Sequence, residues 1–240
     1  MAGSAMQGTS TQLAERLSAV RSRIANAAER AGRDPRTVLL VAATKTIEPA
    51  RVEELIALGV RDLGENRVQE AAAKAAALPD PSLRWHLIGH LQTNKANRAA
   101  PLFDVVHSID SGRVAEALGS RRPEEMAPLE VLVEAELTGI PGHTGIPPQQ
   151  LEDAVRTILA QPRLRLRGLM TMAPPVDDPA AARPTFARLR TLRDELQQRL
   201  GVALPELSMG MSSDYEAAVE EGATIVRLGR ALFGERPPRT

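Results

Sequence analysis

From residue 38 onward the chain alternates, eight times over, between a short apolar run of strand length and a stretch with helical periodicity. The runs fall at 38–44, 60–63, 85–88, 105–109, 129–136, 164–170, 206–208 and 224–228. The helical stretches that follow them fall at 49–58, 67–78, 93–100, 111–118, 148–160, 179–200, 213–221 and 229–233. Strands that read as nearly continuous hydrophobic runs belong in a parallel sheet, whose crossover helices cover its faces. Eight such units in about 200 residues predict a single closed (β/α)8 barrel, the TIM-barrel architecture. An open doubly wound sheet would place a glycine-rich fingerprint after its first strand, and VLLVAATKT at 38–46 contains no glycine.

Ahead of the alternation, Leu13, Leu17, Val20, Ile24 and Ala27 recur every three or four residues. That spacing predicts an extra helix over 11–30, closed by Gly32 and the Asp34-Pro35 turn. Residues 1–10 are small and polar and are expected to be disordered; RPPRT at 236–240 is expected to be a flexible tail. Between them, 11–235 read as one domain without a linker. Thirty basic and thirty acidic residues leave a formal net charge of zero, so no global field favours nucleic acid or an anionic membrane. Aromatics at 2% provide no stacking platform. The absence of cysteine excludes disulfides, thiolate metal sites and cysteine nucleophiles, and suits a reducing cytoplasm. No stretch approaches the length of a membrane span, and the N-terminus has no signal-peptide pattern. A cytoplasmic protein without membrane or nucleic-acid partners is expected.

In such a barrel the chemistry lies at the C-terminal ends of the strands. Lys45 ends the first run. A lysine there either snorkels its ammonium into water or has a task for its amine. An unperturbed lysine is neutral in only about one molecule in 2,500 at pH 7, so an amine that attacks a carbonyl needs the desolvation that a barrel mouth provides. Gly64-Glu65-Asn66 ends the second run, and HLIGHLQTNK at 86–95, with His86 and Asn94, ends the third. On residue type alone Asn66 could equally cap a helix and His86 could be a hydrogen-bonded core histidine. The seventh run ends in SMGMSSD at 208–214, where small and hydroxyl residues let an anion meet backbone N–H groups. Ser212, Ser213 and Asp214 also suit capping of the next helix. At the eighth, Gly229 and Arg230 open a short helix whose unpaired N–H groups favour phosphate. A lysine facing a phosphate cup across a barrel mouth asks for a phosphorylated aldehyde or ketone.

Six segments, LLVAATKT, GENRVQE, WHLIGHLQTNK, LRLRGLMTM, LSMGMSSDYEAA and VRLGRALFG, occur in that order. Together they resemble the pyridoxal phosphate homeostasis protein family, also called the proline synthetase co-transcribed homologues, over about 13–234. The resemblance implies a fold-type III barrel like the N-terminal domain of alanine racemase, with pyridoxal 5′-phosphate (PLP) held as an imine on Lys45. It implies binding, storage or delivery of PLP, with apo PLP enzymes as recipients, no established turnover, and a monomer. Carried over residue by residue, it implies that Ser208 and the backbone of Gly229 and Arg230 hold the phosphate, with Ser212 among the cofactor-binding residues. Arg227 would donate to the pyridine nitrogen, and Asn66, His86 and Asn94 would line the ring. A guanidinium cannot accept a proton from that nitrogen, which leaves the ring a weaker electron sink. Three positions depart from the family pattern. Ile47 and His143 stand where relatives often carry lysine, and Arg230 where threonine is frequent.

The alternative within the same chemistry is a small PLP-dependent racemase or lyase. A two-base racemase needs a second proton donor, and Tyr215 is the only tyrosine. A barrel enzyme acting on a sugar phosphate through a lysine imine shares the phosphate cup. Metal catalysis is disfavoured, because His86 and His90 flank Gly89 without the helical His-Glu-x-x-His pattern.

Overall fold

The computed structural model describes residues 2–140 and 142–235, with side chains from residue 11 onward. Eight parallel strands close a barrel in sequence order: β1 (Leu39–Ala43), β2 (Asp62–Glu65), β3 (Arg84–Leu87), β4 (Val105–Ile109), β5 (Leu129–Glu134), β6 (Leu164–Met170), β7 (Glu206–Ser208) and β8 (Ile225–Leu228). Closure is made by β1 against β8, from Leu39 opposite Ile225 to Ala42 opposite Leu228. An extra helix, α1 (Ala2–Arg30), precedes the barrel. One helix then follows each strand: α2 (Pro49–Ala57), α3 (Val68–Ala77), α4 (Ala96–Ala99), α5 (Gly112–Gly119), α6 (Leu151–Leu159), α7 (Arg183–Leu200), α8 (Tyr215–Glu220) and α9 (Arg230–Phe233). The helices expected at 93–100, 148–160 and 179–200 each open with a 3-10 turn, Thr93–Lys95, Pro148–Gln150 and Pro179–Ala182. Two of these begin on proline, whose missing N–H and fixed φ suit a first turn.

The first helix differs from expectation. α1 takes in positions 2–10, which the sequence suggested were disordered. Lengthening a helix that is already nucleated gains one hydrogen bond per residue without a second nucleation penalty. Leu13, Leu17, Val20, Ile24 and Ala27 form its buried face. Arg23 and Arg30 tie it to α8 by donating to Glu216 (2.8 Å) and Glu220 (2.7 Å). Just beyond its end, Arg33 donates to the carbonyls of Val219 (2.7 Å) and Ala223 (2.9 Å). Met1 and the expected tail at 236–240 lie outside the described residues.

The core has two compartments. Leu63, Leu87, Phe103, Leu118 and Phe186 belong to the larger one, between strands and helices, while Val41, Val105, Leu132, Met170 and Ile225 form a separate cluster inside the barrel. Successive strand side chains alternate between the two. In β8 this puts Arg227 on the inward face with Ile225, and Asp62, His86, His107 and Ser208 join it there in one hydrogen-bonded chain. The barrel interior is therefore partly polar, and that polarity leads to the site.

Candidate functional site at the barrel mouth

Two residues past β1 the chain turns sharply. The Ile47 N–H donates to the Thr44 carbonyl (2.9 Å), with Lys45 and Thr46 at the corners. Lys45 is half-buried and lies beyond the strand rather than in it. On the neighbouring rim, Gly89 lets the exit of β3 run against Asn66, since a Cβ there would fall 2.6 Å from the Asn66 carbonyl oxygen.

After β7 the chain passes Gly210, with φ +94° and no room for a Cβ, which would lie 2.6 Å from that of Ala218. The segment after it is closed by the Asp214 carboxylate, which accepts the Met211 N–H (2.6 Å). This turn presents the Ser212 hydroxyl oxygen to the amides of Gly229 (3.3 Å) and Ala231 (3.1 Å). A hydroxyl oxygen thus gathers N–H groups from the turn between β8 and α9. Because β1 pairs with β8, Lys45 and this turn are neighbours on the rim.

These segments enclose a cavity of about 340 Å³ lined by Lys45, Asn66, Ser212, Ser213, Arg227, Gly229 and Arg230, with apolar walls from Ala43, Ile88, Met172 and Met211. The Arg230 side chain is exposed and lies 4.0 Å from Glu235, which also lines the cavity. Among the described residues no cluster of histidine, aspartate or glutamate could hold a metal ion.

Below the cavity runs a buried chain of hydrogen bonds. Arg227 Nη1 donates to Ser208 Oγ (2.6 Å) and Nη2 to the Thr171 carbonyl (3.0 Å). Ser208 Oγ lies 2.8 Å from His107 Nδ1, His107 Nε2 lies 2.9 Å from His86 Nδ1, and His86 Nε2 lies 2.9 Å from Asp62 Oδ1. The two ends fix the direction, because a guanidinium only donates and a carboxylate only accepts. When the His107 Nε2–H donates to His86, every link donates the same way, from Arg227 through Ser208, His107 and His86 to Asp62. Each histidine carries its proton on Nε2. The Ser208 hydroxyl proton is committed to His107, and its oxygen accepts from Arg227.

Burial holds the pKa of His107 well below the ordinary histidine range, and the Arg227 cation pushes it the same way. Burial also pushes Arg227 down to about 10, against the nearby carboxylates of Glu134 and Asp214. It therefore remains a cation at pH 7. Glu134 is raised by burial, which the hydrogen bond from the Thr144 hydroxyl partly offsets.

Of the residues singled out from sequence, Lys45, Asn66, Ser212, Arg227, Gly229 and Arg230 meet at one cavity. Three do not. Ser208 is fully buried and bonded to His107 and Arg227, so its hydroxyl is not offered to an anion at the mouth. His86 is buried in the same chain and does not line the cavity. Asn94 is carried outward by the 3-10 turn after β3 and lines a separate groove with His90 and Asp110. Ile47 packs against the core, and His143 meets Thr138 Oγ1 (3.0 Å) in the loop after β5. The residues that sequence reasoning missed are His107, Asp62 and the apolar walls Ile88, Met172 and Met211. A histidine in the otherwise short-polar and apolar run VVHSI was the available signal for the first.

Residues 16–237 match the family model described as alanine racemase, N-terminal domain. The chain is 45% identical to the pyridoxal phosphate homeostasis protein of Aquifex aeolicus over 222 residues, covering 92% of this chain and 97% of the relative. It is 46% identical to that of Pseudomonas aeruginosa over 224 residues, covering 93% and 96%. The structure of PipY of Synechococcus elongatus PCC7942 with PLP bound superposes with a TM-score of 0.82 at 41% identity, covering 93% of this chain and 100% of PipY.

Proposed function

Because the chain belongs to the pyridoxal phosphate homeostasis protein family and carries an alanine racemase N-terminal domain over residues 16–237, we propose that it binds PLP at the barrel mouth and serves PLP homeostasis as a carrier. The observation that carries this reading is one cavity that unites the Lys45 side chain, the Arg227 guanidinium and the amides gathered at Ser212.

The residues present fit the group. At about 340 Å³ the cavity falls within the usual range of small-molecule sites, about 300–1,000 Å³. Ile88, Met172 and Met211 offer apolar surface to the faces of a flat ring. A phosphate would share the amides of Gly229 and Ala231 with the Ser212 hydroxyl, at the position after strands seven and eight where barrels hold phosphate. Lys45 supplies the amine for a covalent bond to the aldehyde carbon. When bound, PLP supplies an electrophilic carbon and an electron-withdrawing ring. Arg227, a cation, would donate to the ring nitrogen and leave it without a proton. That favours holding the cofactor over stabilising a carbanion on it.

The curated relatives are named for homeostasis rather than for a reaction. Racemisation would need a second base, and Tyr215 is a poor candidate. It is buried in α8 beneath the Arg23 guanidinium (5.6 Å from its ring centre) and does not line the cavity. We further place the protein in the cytoplasm as a monomer that hands PLP to apo enzymes. The cysteine-free composition supports the compartment, and no helix among the described residues is long and apolar enough to cross a membrane.

The test is transfer. PLP-loaded protein is mixed with an apo PLP enzyme and recovery of that enzyme's activity is followed, beside exchange at the α-carbon of single-enantiomer amino acids in deuterated water. Delivery faster than spontaneous release of PLP, without exchange, supports the carrier. Exchange at ordinary enzymatic rates would replace it with the racemase or lyase reading.

A further inference from the structure

The turn that carries Lys45 is gripped on both sides by one helix. Lys74 of α3, with its side chain 6% exposed, donates to the Thr44 carbonyl (2.5 Å), Glu65 Oε1 (2.6 Å) and Glu70 Oε1 (3.1 Å), which uses all three of its ammonium donors. The Thr44 hydroxyl donates to the same Glu65 oxygen (2.6 Å). Glu70, one helical turn before Lys74, accepts the N–H of Thr46 on that same Oε1. The residue before Lys45 is thus held through its carbonyl, and the residue after it through its amide.

Thr46 requires such a hold. Its φ of +65° makes it the one described non-glycine residue in the left-handed region, which β-branched side chains seldom enter. A strained conformation of this kind persists only where its surroundings over-determine it. Stability alone is a weak reason for the arrangement, because desolvation largely offsets the attraction within a buried ion pair. Glu65 and Glu70 alone could satisfy the Lys74 charge, yet one ammonium donor is spent on the peptide unit next to Lys45.

We propose that Lys74 and Glu70 are positioning residues for Lys45, fixing the peptide units on either side so that its amine meets the aldehyde carbon of a ligand in the mouth. The inference rests on the PLP reading above. In the step it serves, a carbon–nitrogen bond forms and the aldehyde oxygen leaves as water with both protons of the neutral amine, with no change of oxidation state.

The experiment uses two ligands that differ at the reacting carbon. PLP reports the covalent bond, by its visible absorption band; pyridoxine 5′-phosphate, with an alcohol in place of the aldehyde, reports the pocket alone, by calorimetry. Glu70→Ala and Lys74→Met are expected to weaken PLP binding on the order of tenfold or more, as misplacement of a reacting group does, while pyridoxine 5′-phosphate binds as to wild type. Glu70→Gln, which keeps an oxygen acceptor for the Thr46 amide, restores PLP affinity. Should Lys74→Met fold poorly because it strands Glu65, the half-exposed Glu70 pair of variants still decides the matter. Parallel loss of both ligands, or unchanged PLP affinity in Glu70→Ala, would overturn the positioning role. A wild-type protein that forms no covalent bond to PLP overturns the PLP reading itself, and this inference with it.

Discussion

Replacing His107 with glutamine removes one titrating group from the barrel interior while keeping a donor and an acceptor for its two neighbours. His107 is fully buried between Ser208 and His86. Its pKa is depressed by burial first, and further by the Arg227 cation. The unfolded chain recovers an ordinary histidine pKa of about 6.5. Below that pH the unfolded state binds a proton that the folded state refuses, so stability falls as the medium is acidified. The sign is that of a depressed folded-state pKa: the contribution is whole above the unfolded value and is lost on going below it. With the folded state unprotonated across the window, this one group accounts for a loss of about 1.4 kcal/mol between pH 7.5 and 5.5. Glu65, Glu134 and Asp214 are raised by burial and run the other way, losing stability as pH rises. They are common to both proteins and cancel in the comparison. Urea unfolding followed by Trp85 fluorescence at the two pH values should show wild type losing about 1.4 kcal/mol more than His107→Gln on acidification. Parallel profiles would refute a His107 that stays unprotonated in the folded barrel.

Two further substitutions separate the interior from the rim. Ser208→Ala takes away the shared partner of Arg227 and His107 and leaves a buried acceptor and a buried guanidinium N–H unpaired; calorimetry should show about 2–4 kcal/mol of destabilisation, where a loss under about 0.5 kcal/mol would contradict the assigned geometry. Ser212→Ala should leave thermal stability nearly unchanged and weaken PLP about tenfold, near 1.4 kcal/mol, through the lost phosphate-side hydroxyl; equal affinity in a direct titration would show that Ser212 does not contact the phosphate.

From β1 onward the elements were legible in the sequence to within a residue or two, because buried parallel strands and amphipathic helices differ in period and alternate without exception there. β4, β6 and β7 fall on the expected residues, and β1 is two residues shorter than 38–44 because Val38 and Thr44 belong to the turns beside it. The site was legible where a loop feature carried it: Lys45 past β1, Ser212 past β7 and Gly229 past β8 all reach the mouth. It was not legible where a side chain's depth decides its role. Ser208 and His86 stand at strand ends in the linear motif, but strand alternation turns both inward below the rim, where each finds partners on other strands. The sequence separates Ser208 from His107 by a hundred residues, and only barrel closure brings them within 2.8 Å. Asn94 sits seven residues beyond β3, inside the 3-10 turn Thr93–Lys95 and off the rim.

The chain offers few amines for a covalent cofactor: Lys45, Lys74 and Lys95 are its only lysines. Lys74 is engaged in the buried ion pair behind the site, and Lys95 lines a groove beside the barrel mouth. Borohydride reduction of the PLP-loaded protein followed by peptide mass spectrometry therefore tests the central claim directly. The expected result is a phosphopyridoxyl group on the peptide containing Lys45, lost in Lys45→Ala; modification of Lys74 or Lys95 instead, or of no lysine, would contradict it.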